Sequence, residues 1–195
     1  MKTRVGILAL QGAVTNHADA LTQLGAHPVA VRRPEHLEGL DAIVLPGGES
    51  TTMSMLLESS GVFEPLHALL RDGLPSLGTC AGMILLAADV LDGRPDQRQF
   101  GVVDISVRRN AWGRQVDSFE ADLSVAGLEG DMFPAVFIRA PRVERVGDAV
   151  SVLAEFDGEP VLCRSETTVV ASFHPELSDD LRIHQLFLEG VGVTR

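Results

Sequence analysis

Two short segments of this sequence carry residue types that could do covalent chemistry. The first is Gly78-Thr79-Cys80-Ala81-Gly82, a G-x-nucleophile-x-G pattern with cysteine at its centre. Flanking glycines leave room for a sharp strand-to-helix turn that lifts the sulfur clear, and a helix N-terminus beneath it favours a thiolate. The N–H of Ala81 would face the carbonyl oxygen of a bound acyl group, as one half of an oxyanion hole. A small buried cysteine at a strand end is the plainer alternative for the same five residues. Cys163, between Leu162 and Arg164 in a strand-like run, has no such context and reads as an inert core or edge thiol.

The second segment is His174-Pro175-Glu176, at the end of the run Val169-Val170-Ala171-Ser172-Phe173. A residue before proline is pushed to extended geometry. In extended chain, positions i and i+2 project to the same side, roughly 6.5–7 Å apart along the backbone. Glu176 can therefore bend back to His174 and fix its tautomer while the other ring nitrogen faces a thiol. The remaining histidines, His17, His27, His36, His67 and His184, have no acidic residue at useful spacing and read as surface or packing residues. A metal reading of H-x-E fails because no P-C-x-x-C follows, and H-E-x-x-H is absent too. No metal site is expected.

These segments need elements to position them. Residues 4–10 (RVGILAL), 28–31, 41–45 and 75–79 read as short buried strands. Helical patterns fall at 13–24, 51–58, 63–71 and 81–90. Strand and helix in alternation imply βαβ units and a parallel sheet covered on both faces. Beyond Arg94 the texture becomes strand-like at 102–108, 118–125, 135–138, 150–156, 161–164 and 169–173, with a closing amphipathic helix at 181–191. The expected fold is thus α/β, one domain over residues 1–195, with a mixed or antiparallel extension from the second half. The loop at 93–99 (GRPDQRQ) is the best candidate for a flexible one.

Composition narrows the function. The chain has 195 residues with 45% apolar content, enough for a sizeable core. A net charge of −11 disfavours a nucleic-acid or anionic membrane surface. No signal-peptide core, membrane span, phosphate loop or dinucleotide fingerprint is visible, so no cofactor is expected. Two cysteines do not make a disulfide scaffold, and a reducing, cytoplasmic setting is the expectation.

Together the Cys elbow and the H-P-E ending resemble the class I, triad-type glutamine amidotransferases, whose sheet is flavodoxin-like. Further blocks, Leu10-Gln11-Gly12-Ala13, the run from Leu45 to Met53 (LPGGESTTM), residues 113–120 (GRQVDSFE), Phe137-Ile138-Arg139-Ala140-Pro141 and the run from Ser172 to Leu177, are similar to the glutaminases of pyridoxal 5′-phosphate synthase. The resemblance implies that Cys80 attacks the carboxamide of L-glutamine, that His174 moves the proton and that Glu176 holds His174. It implies a glutamine pocket lined by Gly48, Glu49, Ser50, Arg109, Ile138 and Arg139, with oxyanion donors at Gly48 and Ala81. It also implies a lyase partner, a (β/α)8 barrel that receives the ammonia, with Gln11 at the shared surface. From the residues alone, Pro46-Gly47-Gly48 could be an ordinary turn, Gln11 a polar turn residue, and Arg109 and Arg139 solvated arginines. Another glutaminase of the class, a cysteine hydrolase or chaperone, and an inactive binding module are the rival readings; the GRQVDSFE block and the intact Cys80, His174 and Glu176 weigh against them.

Overall fold

The computed structural model describes residues 2–109 and 118–192. The first half alternates strand and helix as its apolar periodicity requires: β1 (Arg4–Leu8), α1 (Val14–Gln23), β2 (His27–Val31), β3 (Ala42–Leu45), α2 (Ser50–Ser59), α3 (Phe63–Arg71), β4 (Ser76–Thr79) and α4 (Ala81–Leu86). There follow β5 (Ala87–Val90), β6 (Val103–Arg108), β7 (Ser118–Leu123), β8 (Phe133–Ile138), β9 (Arg142–Val146), β10 (Ser151–Phe156), β11 (Glu159–Ser165), β12 (Thr168–Ala171) and α5 (Arg182–Gly190).

Seven strands form the main sheet in the order β10-β11-β12-β4-β3-β1-β2. From β12 to β2 the pairings are parallel; β10 and β11 add an antiparallel hairpin at one edge. Alternate residues of β3 show why its run is apolar throughout. Ile43 and Leu45 enter the core under α2, α3 and α4, while Ala42 and Val44 enter the core that includes Leu21 of α1 and Ile183 and Phe187 of α5. Two smaller sheets, β5-β6-β9 and β7-β8, flank the main one.

Four expectations about individual elements need correction. The second half is not only an extension: β12 lies inside the main sheet, paired to β4 from Thr168↔Ser76 to Ala171↔Thr79. This puts the end of β12 beside the end of β4. The helix expected over residues 81–90 stops at Leu86, and Ala87 turns to extended geometry (φ −62°, ψ 147°). The carbonyls of Leu85 and Leu86 accept the N–H groups of Phe100 and Val102 at 2.7 and 3.0 Å, so tertiary pairing overrides the helix propensity of an Ala/Leu-rich run. The apolar pattern does not mark β9, which pairs antiparallel with β6 from Ile105↔Val146 to Arg108↔Arg142. The 93–99 loop is anchored: Gln97 is buried, Arg98 donates its backbone N–H to Ser54 Oγ at 2.8 Å, and the Arg98 guanidinium covers the Phe63 ring at 3.8 Å.

Candidate active site

Cys80 lies at the junction of β4 and α4 with φ 51° and ψ −103°, a conformation costly for a residue with a β-carbon. Neighbouring contacts hold it there. Its N–H donates to the Ala171 carbonyl at 2.8 Å, across the β4–β12 pairing. A β-carbon on Gly82 would overlap the Leu45 carbonyl, and one on Gly78 would lie 2.7 Å from the Leu86 side chain and 2.8 Å from the Gly82 carbonyl. Both glycines of the elbow are thus demanded by strand–helix contact. Ala81 is buried and opens α4, so its N–H precedes the first intrahelical bond.

His174 follows β12 and is fixed by its own N–H, which donates to Val136 of β8 at 2.8 Å. Phe173 anchors it from below, buried against Phe133 and Phe137. Pro175–Leu177 forms a single 3₁₀ turn that swings Glu176 back, and His174 Nδ1 meets Glu176 Oε1 at 2.8 Å. Burial works against a charge on His174, but hydrogen bonding with Cys80 and Glu176 outweighs it and raises the imidazolium to about 10. Burial would likewise raise Glu176; the His174 hydrogen bond, with His17 nearby, holds it below the ordinary carboxylate value.

Cys80 and His174 open into a cleft of about 320 Å³, at the small end for ligand pockets. Gly48, Glu49, Ser50, Arg109, Ile138 and Arg139 all line it. Glu176 is buried behind His174, and Gln11 reaches the cleft's rim through Glu49, whose N–H donates to Gln11 Oε1 at 3.1 Å. Gly12, next in the chain, has φ 99°, and a β-carbon there would overlap the Gly47 carbonyl. The β1–α1 turn therefore braces the Gly47-Gly48 turn. Arg139 also sits at positive φ (43°), at the corner after β8, and the Ile138 carbonyl lies 3.8 Å from the Cys80 sulfur.

The Glu49 side chain is committed elsewhere. Its carboxylate caps α2, accepting the N–H groups of Thr51 and Thr52 at 3.1 and 2.7 Å and the Thr52 hydroxyl at 2.8 Å. Burial opposes its ionisation, and these bonds still hold it below the usual carboxylate range. Thr51 Oγ accepts from Arg109 at 2.8 Å and donates to Gln97 Oε1 at 3.1 Å. Arg109 also reaches Gln97 Oε1 at 3.2 Å and the Asp92 carbonyl at 3.1 Å. Sequence reading missed Gln97, whose one signal is a glutamine set between the charged residues Asp96 and Arg98, and Leu177, an exposed apolar residue at the cleft mouth. Local spacing gives His17 no acidic partner. The fold supplies one: His17 Nε2 lies 3.4 Å from Glu176 Oε2. Residues 113–117 of the GRQVDSFE block lie outside the described residues.

A family model described as the SNO glutamine amidotransferase family matches residues 7–193. The chain belongs to the SNO glutamine amidotransferase family. Among curated relatives, "Pyridoxal 5′-phosphate synthase subunit PdxT" of Rhodococcus opacus is 56% identical over 192 residues, covering 95% of each chain. The protein of the same name from Frankia alni is 58% identical over 186 residues, covering 95% of this chain and 94% of its own. A crystal structure of a glutamine amidotransferase superposes with a TM-score of 0.91 at 48% identity, covering 97% of this chain and 99% of that one. The SNO family match spans both the elbow and the H-P-E turn. Among the described residues no helix is long and apolar enough to cross a membrane.

Proposed function

We propose that this SNO-family amidotransferase hydrolyses L-glutamine to L-glutamate and ammonia through Cys80, His174 and Glu176, and hands the ammonia to a lyase subunit that makes pyridoxal 5′-phosphate. The observation that carries the reading is a strained cysteine facing a histidine whose other nitrogen is held by a buried glutamate at 2.8 Å. The relatives' name, pyridoxal 5′-phosphate synthase subunit PdxT, supports the destination of the ammonia.

The cycle starts from a thiolate–imidazolium pair. Cys80 Sγ attacks the carboxamide carbon, and the resulting oxyanion takes hydrogen bonds from the N–H groups of Gly48 and Ala81. His174 gives its proton to the departing nitrogen, the C–N bond breaks, and ammonia leaves a thioester on Cys80. Water then attacks the thioester carbon while His174 takes the water's proton. The C–S bond breaks, glutamate leaves, and the thiolate–imidazolium pair returns. Arg109 and Arg139, with the Glu49 and Ile138 backbone, hold the amino-acid end of the substrate. Gln11 belongs to the surface the barrel covers. Two free thiols fit a reducing cytoplasm.

The test is glutamate release from glutamine by the wild type and by Cys80→Ala, each with the barrel subunit present. Loss of more than 10³-fold in a folded Cys80→Ala protein is expected. Activity within tenfold of wild type would overturn the reading.

A further inference from the structure

Behind Glu176 lies a buried pair of histidines that this cycle does not use. His17, on the inner face of α1, and His184, on the inner face of α5, are both fully buried. His17 Nδ1 meets His184 Nε2 at 2.9 Å, and His17 Nε2 lies 3.4 Å from Glu176 Oε2 and 3.3 Å from Thr79 Oγ. Both side chains of the His17–Glu176 contact are completely shielded from solvent. Among the described residues Glu176 Oε2 has no hydrogen-bond partner, although Oε1 is taken by His174.

We propose that His17 is a positioning residue for the Cys80 centre: as a neutral imidazole with its proton on Nε2, it turns that N–H into the gap between Thr79 Oγ, its hydrogen-bond partner, and Glu176 Oε2, so that its positive end faces the carboxylate, and His184 sets that tautomer. The inference rests on the glutaminase reading above.

Two proton arrangements are open to the histidine pair. If His17 Nδ1 donates to His184 Nε2, then His17 Nε2 turns a lone pair toward a carboxylate oxygen. His184 must then carry its own proton on Nδ1, which is buried with no partner among the described residues. If instead His184 Nε2 donates to His17 Nδ1, the His17 proton sits on Nε2 and faces the carboxylate. The orphaned atom is then a bare acceptor nitrogen. Buried unpaired N–H donors are rarer than under-satisfied acceptors, and a lone pair against an anion is repulsive. The second arrangement wins on both counts.

Both rings stay uncharged for the same reason. Burial lowers His184 to about 3 and lowers His17 as well, against the attraction of Glu176 and with His174 adding to the drop. The groups facing His17 are Glu176 and His174 around the 3₁₀ turn, His184 on α5 and the Thr79 hydroxyl at the end of β4. Neutrality matters to the chemistry. A cationic His17 would cancel the charge of Glu176 and weaken its hold on the His174 imidazolium. A neutral donor steadies the second oxygen and leaves the negative charge for His174. The result is one chain of contacts from α5 through α1 to the sulfur: His184, His17, Glu176, His174, Cys80.

The experiment compares wild type, His17→Leu, His17→Gln and Cys80→Ser in glutamate release with the barrel subunit present, as a function of pH, with folding checked by thermal melting. Loss of the donor leaves Oε2 facing hydrocarbon, which raises Glu176 and makes it protonate earlier as pH falls. His17→Leu is expected to lose about tenfold in kcat with KM within twofold, and its acid limb to move up by about one pH unit. His17→Gln, whose amide N–H can replace the Nε2 donor, is expected to recover most of both. A folded His17→Leu with wild-type kcat and acid limb would overturn the proposal, as would a Gln variant no better than Leu. A measurement on wild type alone stands should His17→Leu not fold: ¹⁵N-histidine NMR at pH 7 is expected to show His17 neutral with its proton on Nε2. A proton on Nδ1 alone, or a cation, would reject it. Cys80→Ser separates the two readings, since an active serine variant sinks the glutaminase centre, whereas an inactive one beside an unaffected His17→Leu sinks only this proposal.

Discussion

The imidazole of His174 rests directly on the Cα of Gly47: a β-carbon at residue 47 would overlap ring atom Cε1 and lie 3.0 Å from Nδ1. Glycine is needed here for space rather than for backbone freedom. The turn proposed to supply an oxyanion donor is also the floor on which the proposed base lies. Gly47→Ala should push the ring off Glu176 and out of line with Cys80. A misplacement near 1 Å costs about 10²-fold in rate. Glutamate release by the folded variant, with the barrel subunit present, should fall by that order; activity within threefold of wild type would show that the ring can yield without loss.

The two cysteines should separate in reactivity. Burial pushes the Cys163 thiol up to about 12, and the side chain is fully enclosed in the core between β10 and β12. Iodoacetamide at pH 8 should therefore alkylate Cys80 and leave Cys163 intact in the native protein. Peptide mass mapping reads the outcome. Cys163→Ser should keep most glutaminase activity, and its loss in a folded protein would show a role for the second thiol.

The raised His174 has a definite consequence for pH. Its ordinary value is 6.5 and its folded value is about 10. The stabilisation its imidazolium gives is complete below 6.5 and is lost as pH rises through about 10. Glutaminase activity should fall on the same alkaline limb, because a neutral His174 cannot protonate the leaving nitrogen. Replacing Cys80 by Ala removes one of the two groups that raise His174, so the ring should titrate lower in that variant. NMR titration of the His174 Cε1–H checks this, and an unshifted titration would disconnect the pair.

Gln97 should matter to substrate binding although it does not line the cleft. It ties Thr51 to Arg109 with bonds of 3.1 and 3.2 Å and is itself buried. Gln97→Ala leaves the Arg109 fork short of an acceptor, at a cost of about 1 kcal/mol. That corresponds to roughly a fivefold rise in KM for glutamine with kcat little changed. Steady-state kinetics decide; an unchanged KM would mean that Thr51 and Asp92 alone suffice to hold the arginine.

Gln11 braces the Gly47-Gly48 turn from outside through the Glu49 N–H. A barrel subunit that binds Gln11 can therefore bias that turn toward the state with its N–H aimed at the oxyanion. A partner shifts such a population only by its differential affinity for the competent state. The isolated chain should be a weak glutaminase, stimulated by titration with the barrel subunit, while a Gln11→Ala chain that still binds should not be stimulated. Full activity of the chain alone, unchanged at saturation, would reject gating.

What the sequence determined by itself was local. The Cys80 elbow is legible because its glycines and its helix start lie within five residues. The Glu176–His174 contact is legible because two residues of extended chain and a proline leave few other geometries. The parallel core showed as apolar runs bounded by turns, since both faces of those strands are buried. The tertiary structure decided everything that joins distant residues. Nothing near Ala81 says that Phe100 and Val102 will take the carbonyls of Leu85 and Leu86 and end α4 early. Nothing near His17 says that Glu176, or His184 on the far helix, will meet its ring; a histidine at a core position beside Ala20 and Leu21 was the sole local sign. The insertion of β12 beside β4 brings these partners together. Register between strands distant in the chain is set by the summed burial of whole faces, which leaves no mark on the few residues that finally touch.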